Sequence, residues 1–352
     1  MIEKIEIEDL EVDILQNETR NNRTYLTLKV TPKRYYDTYP MRKIFYEIEG
    51  LHKEQEVEIR IETQFYKELY RYEDWQAIEL GTYQNYRLMN DIDFEGKQNI
   101  KANVTLARLE SEGGNKTLKN INLKLNGSDQ GLIKEVSVGI NNINFESIEI
   151  ENLGSGIRTG IIAMLRGPML YCNFNNVIIN APKIDYIGII GESMSGYLQH
   201  ITLGNIKCTG GSYLGGLIGT GTGGNINYVE ADDITVIGTG GYVGGIAGQY
   251  GNGGTQVTIR NSNVIGKNYV GGLGGFFRGI EHLVENTKVE GESSVGGVMG
   301  MANDIAVNNT VRDSIVKGTG DSIGGIVGRT NSNRCKIQEC KVENLTIEAG
   351  SS

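Results

Sequence analysis

The chain has 352 residues, with 34 Lys and Arg against 43 Asp and Glu and a formal net charge of −9. That sign offers nucleic acid no electrostatic attraction, so no partner of that class is expected. Its 49 Gly and 4 Pro follow no three-residue period, which excludes collagen, and no apolar run reaches spanning length, so no membrane insertion is expected.

Residues 1–68 alternate apolar and polar side chains over short stretches, as at Leu26, Leu28 and Val30, the pattern of half-buried strands. A small antiparallel β domain is expected there. Its middle carries Tyr35, Tyr36 and Tyr39, the candidate binding residues of this domain, because Tyr offers a large contact area at little entropy cost. Residues 69–85 read as a linker with a short amphipathic helix over 72–81. Trp75, Ile78 and Leu80 face inward and Gly81 stops the helix. A solenoid must cover the open edge of its first coil, and this helix is read as that cap.

From residue 86 to 352 one six-residue phrase recurs ten times: apolar, polar, then Asn, Asp or Ser, then apolar, any residue, apolar. It starts at Met89, Leu118, Phe145, Phe174, Leu203, Ala231, Ile259, Val284, Val311 and Val342, with separations of 29, 27, 29, 29, 28, 28, 25, 27 and 31 residues. A period near 28 that tolerates small insertions marks a solenoid. A second phrase, Val243-Gly244-Gly245-Ile246-Ala247-Gly248 in its fullest form, recurs in phase with the first. Apolar segments this short and glycine-rich exclude paired helices and suit strands. The fold class is therefore all-β. It is a right-handed parallel β-helix of about ten coils, roughly 28 residues each, preceded by the antiparallel domain and the capping helix.

The third position of the phrase holds Asp91, Asn120, Asn176, Asn205, Asp233, Asn261, Asn286, Asp313 and Asn344, with Ser147 in one coil. The chain must bend there to return the fourth residue to the core. Asn and Asp tolerate the positive φ of such a bend best after Gly. Stacking aligns these residues into a ladder in which each side chain bonds the next, so the row reads as structural.

The only histidines are His52, His200 and His282, and none lies in H-E-x-x-H. Cysteines 172, 208, 335 and 340 have neither zinc-knuckle nor C-x-x-C spacing. No metal, no cofactor and no catalytic residue is expected in this chain. Carboxylate pairs capable of glycoside hydrolysis would have to come from Asp91 with Asp93, Asp232 with Asp233, or Asp313 beside Arg312. A calcium site would draw on Asp91, Asp93 and Glu95. One member of each pair already serves the ladder, so a polysaccharide-degrading enzyme is the lesser reading. Outward excursions at 97–117, 251–255 and 329–335 suit binding better, with Tyr250, Phe276 and Phe277 there read either as exposed contact groups or as core residues.

The glycine phrase resembles the GLUG repeat of Gram-positive surface proteins. The order of parts is also telling. Tyr25-Leu26-Thr27-Leu28-Lys29-Val30 leads to Tyr35-Tyr36-Asp37-Thr38-Tyr39-Pro40, then the capping helix, then Asn85-Tyr86-Arg87-Leu88-Met89-Asn90-Asp91-Ile92-Asp93-Phe94 and the coils. This order resembles the non-catalytic N-terminal part of the IgA1-protease/Zmp zinc metalloendopeptidases. The resemblance implies an extracellular or bacterial cell-surface location and a host or substrate glycoprotein as partner. It also implies a downstream domain of the same parent protein, with any zinc site beyond Ser352. The last coil stops before its glycine phrase, so the chain is expected to be a segment of a longer protein. The alternative is a β-helical adhesin, or another surface or tail-fibre binding protein, with no protease domain.

Overall fold

The structure is a computed structural model that describes residues 2–7, 10–20, 23–32, 42–48, 51–57 and 66–350. The chain divides into two compact units, Met1–Phe65 and Tyr66–Ser352. In the first, five antiparallel strands lie in the order Arg23–Pro32, Leu10–Arg20, Ile2–Ile7, Arg42–Ile48, Leu51–Val57. Tyr35, Tyr36 and Tyr39 lie outside the described residues.

The second unit is a parallel β-solenoid of about nine turns. The six-residue phrase sets its register. Phe145, Phe174, Leu203, Ala231, Ile259, Val284, Val311 and Val342 pair in one column. From Phe145 to Val311 all are buried. The stacked rings of Phe145 and Phe174, 4.9 Å apart, measure the coil spacing directly, because a parallel ladder repeats at about 4.8 Å. Sixth positions such as Ile150, Ile179, Cys208 and Val236 form a second buried column. Each coil packs on its two neighbours only, so stability accumulates along the column and has no single centre.

The fourth position is apolar only in part of the solenoid. Ile148, Val177, Ile206 and Ile234 give way to Ser262, Thr287 and Ser314, all buried. Ser314 Oγ donates to the Arg312 carbonyl at 2.7 Å and accepts the Thr287 N–H at 3.1 Å. Ser262 Oγ donates to the Arg260 carbonyl at 2.5 Å and accepts the Ile234 N–H at 3.0 Å. These hydroxyls satisfy backbone groups that the bend removes from the sheet ladder, so burying them costs little. Leu345, in the last phrase, is only half-buried, and among the described residues its strand Lys341–Ala349 pairs with Thr310–Gly318.

Parallel pairing begins upstream of the expected start at 86, where Tyr66–Leu69 pairs with Asn85–Leu88. Between them the helix is short, Tyr72–Gln76. Asp74 Oδ2 opens it by accepting the N–H groups of Tyr70 and Arg71 at 2.8 and 3.1 Å. Trp75 is fully buried, its indole N–H donates to the Lys101 carbonyl at 3.0 Å, and its ring meets the edge of Phe94. Ile78 is buried as expected, but Leu80 is 59% exposed. The helix ends at Gln76, so Leu80 falls in the following turn and never joins the helical stripe.

Candidate functional site

Nine of the ten third positions have positive φ, between 45° at Asn286 and 59° at Asn120; Asp91 is the exception. Their side chains bond along the solenoid. Asn176 donates to Ser147 Oγ at 3.2 Å, Asn205 to Asn176 at 3.1 Å, Asn286 to Asn261 at 2.6 Å and Asn344 to Asp313 at 2.7 Å. Two steps take other partners than the expected ones. Asn120 donates to Asp93 in place of Asp91, and Asn261 to Asp232 in place of Asp233. Asp91 instead accepts the Thr117 N–H at 2.8 Å, having no left-handed bend to aim its carboxylate along the column.

This geometry bears on every carboxylate pair considered for hydrolysis. Asp93 accepts from Asn120 at 2.8 Å and from the Glu95 N–H at 2.9 Å, with Lys119 Nζ 3.4 Å away. The Asn120 hydrogen bond leads in holding its carboxyl below the usual carboxylate range. A general acid needs the opposite shift. Asp232 and Asp313 each accept an Asn amide from the next coil. Among the described residues no three His, Cys, Asp or Glu groups gather closely enough to hold a metal ion. Cys172 and Cys208 are buried, and desolvation pushes both thiols up to about 12, which makes them poor nucleophiles.

Two further corners of the coil also run at positive φ, and aromatic residues occupy both. Tyr213, Tyr242 and Tyr269 have φ of 49°, 60° and 53°. Tyr213 and Tyr242 are 5.0 Å apart, Tyr242 and Tyr269 4.7 Å, with their rings stacked, and Tyr186 meets Tyr213 edge-on at 5.1 Å. These tyrosines are half-buried, and desolvation raises the Tyr213 and Tyr242 phenols above their ordinary value. The other column is Tyr171, His200 and Tyr228, at φ of 54°, 55° and 55°. Its rings stack within 4° of parallel at 4.8 and 4.9 Å. Tyr171 is 51% and Tyr228 50% exposed.

The exposed column is the candidate contact surface. Its neighbours along the same corner are Asn142 on one side and Gln256, Glu281 and Asn308 on the other, all at positive φ. Polar residues therefore serve the bend without rings. The three aromatics sit in a conformation that costs L-residues roughly 1–2 kcal/mol each, and stacking returns about 0.5–1.5 kcal/mol per pair. Neither repeated phrase includes this corner. The signal was an aromatic at the coil period, 171, 200 and 228. The apolar candidates drawn from the sequence fare differently. Tyr250 and Phe277 are fully buried in the core, while Phe276, next to Phe277 in the same strand, takes the opposite face and is half-buried.

No protein-family model, curated protein or solved structure matches the chain.

Proposed function

We propose that the chain is the non-catalytic recognition and scaffold region of a secreted or surface-attached bacterial protein of the IgA1-protease type, and that it engages a host or substrate glycoprotein along the solenoid. The observation that carries this reading is the exposed stack Tyr171–His200–Tyr228. Large rings held rigidly at a solvent-facing corner supply contact area whose ordering cost folding has already met. The carboxylates point to the same reading, since ladder bonds rather than a shared substrate position engage Asp91, Asp93, Asp232 and Asp313.

The test is surface plasmon resonance on immobilised immunoglobulin A1, the substrate that the resemblance implies. Binding by the purified chain should weaken at least tenfold when Tyr171, His200 and Tyr228 are all changed to Ser, with an unchanged circular dichroism spectrum. Undiminished binding by a folded triple variant would remove the stack from the reading. The parent gene beyond Ser352 separates protease from adhesin: an H-E-x-x-H sequence there favours the first, and a cell-wall sorting signal alone the second.

A further inference from the structure

One coil is short at one corner. Gln249 pairs with Phe276, and Phe276 with Met301. Further on, Gly254 pairs with Gly279, and Gly279 with Ala306. Between these fixed points the middle coil crosses with Phe277 and Arg278 alone, whereas the coils on either side each use two residues more. The flanking turns reach over the gap. Asn303 Nδ2 donates to the Gly251 carbonyl at 2.9 Å, skipping the coil between them. Beside that bridge lies a cavity of about 300 Å³, whose lining includes Asn225, Asn252, Thr255, Arg278 and Ile280.

Arg278 sets this notch apart. Arg87, Arg158, Arg166, Arg260 and Arg312 each pair with a carboxylate. Among the described residues Arg278 has no ion pair and no side-chain hydrogen bond, although it is half-buried. Arg278 therefore stands in the wall of the notch with no anion from the chain, and its planar fork matches a carboxylate bidentately. Around it stand neutral groups. The Asn252 amide uses one hydrogen on the Thr222 carbonyl at 3.2 Å and keeps its oxygen. Asn225 is exposed, and the Thr255 side chain is half-buried at the wall. Amides and a hydroxyl both donate and accept, as sugar hydroxyls require. Ile280, 37% exposed, offers an apolar surface to the C–H face of a ring. The volume lies at the small end of ligand sites and suits one ring.

We propose that this notch binds a carboxylate-bearing sugar, a sialic or uronic acid residue of a glycan, with Arg278 on the carboxylate and Asn225, Asn252 and Thr255 on the hydroxyls. The site deepens the recognition reading and rests on it only in assigning the glycan to a glycoprotein. It is independent of the aromatic stack.

The experiment titrates the purified chain with free N-acetylneuraminic acid, glucuronic acid, glucose and acetate, followed by saturation-transfer NMR and calorimetry. One or both sugar acids should bind, at least tenfold more tightly than glucose or acetate, and whichever acid binds identifies the source. Arg278→Gln should reduce that affinity at least tenfold with unchanged circular dichroism and melting temperature. Thr255→Val, which keeps the shape and removes the hydroxyl, should weaken the sugar acid and leave acetate unchanged. Equal binding of glucose would overturn the proposal, as would equal binding of acetate or an undiminished Arg278→Gln variant. If neither sugar acid binds while immunoglobulin capture persists, the acidic-sugar site is wrong and the recognition reading stands.

Discussion

His282 and Asn309 occupy the same corner in successive coils and use the same device. His282 Nδ1 accepts the Val257 N–H at 3.1 Å, and Asn309 Oδ1 accepts the His282 N–H at 3.1 Å. Each side chain replaces a sheet acceptor with one of its own. An imidazole and a carboxamide are thus interchangeable at this buried corner, except that only the imidazole titrates.

Titration makes the first prediction. Nδ1 accepts a hydrogen bond, so the neutral ring carries its proton on Nε2, which has no partner among the described residues. Burial lowers the pKa of His282 to about 3. Between about 6.5 and 3 the unfolded chain binds a proton that the folded chain refuses, so stability falls as pH falls through that window. The loss is about 2 kcal/mol at pH 5. The melting temperature should drop between pH 7 and pH 5. His282→Asn, which copies the next coil, should flatten that slope. A slope unchanged in His282→Asn would assign the acid sensitivity elsewhere.

Asn261 accepts from Asn286 and donates to Asp232 at φ 50°. Asn261→Ala loses both bonds and strains the backbone, for a cost of about 1–3 kcal/mol. Asn261→Gly loses the same bonds without the strain, so it should melt higher than the Ala variant. Thermal denaturation of the two variants side by side checks the order.

Gly272 and Gly325 hold the same place in the glycine phrase. A Cβ at Gly272 would enter the Gly297 carbonyl oxygen of the next coil and press on Val284. At Gly325 it meets only the end of the Leu345 side chain, at 3.0 Å, and the Val342 methyls. Gly272→Ala should cost several kcal/mol, on the order of 3 or more, or prevent soluble expression. In this 352-residue chain Gly325→Ala should cost under about 1 kcal/mol. Urea unfolding midpoints of both variants decide it.

Thiol accessibility is the last prediction. Cys172 and Cys208 are buried with their thiols pushed up to about 12, while Cys335 and Cys340 are half-buried. An aromatic disulfide reagent at pH 8 should label Cys335 and Cys340 in the native chain and all four cysteines in denaturant. Rapid native labelling of Cys172 or Cys208, located by peptide mapping, would contradict their packing.

Much of this molecule was legible without coordinates, because a solenoid repeats one local problem. Burying the fourth and sixth positions of the phrase dictates strand alternation, and burying the first as well forces a bend between them. The intervening bend demands positive φ, and Asn or Asp answers that demand coil after coil. Local chemistry alone determined the period, the all-β class and the third-position bends. Coil-to-coil contact decided the rest. It selected Asp93 and Asp232 over Asp91 and Asp233 as acceptors, because a hydrogen bond depends on where a carboxylate points and not on its place in a phrase. It allowed Ser262, Thr287 and Ser314 into the core, since a hydroxyl beside a freed N–H is as well satisfied there as in water. The notch at Arg278 was visible in outline as the 25-residue separation between Ile259 and Val284. The sequence could not say which corner lost the residues. That depended on how the coils before and after closed over the shorter one.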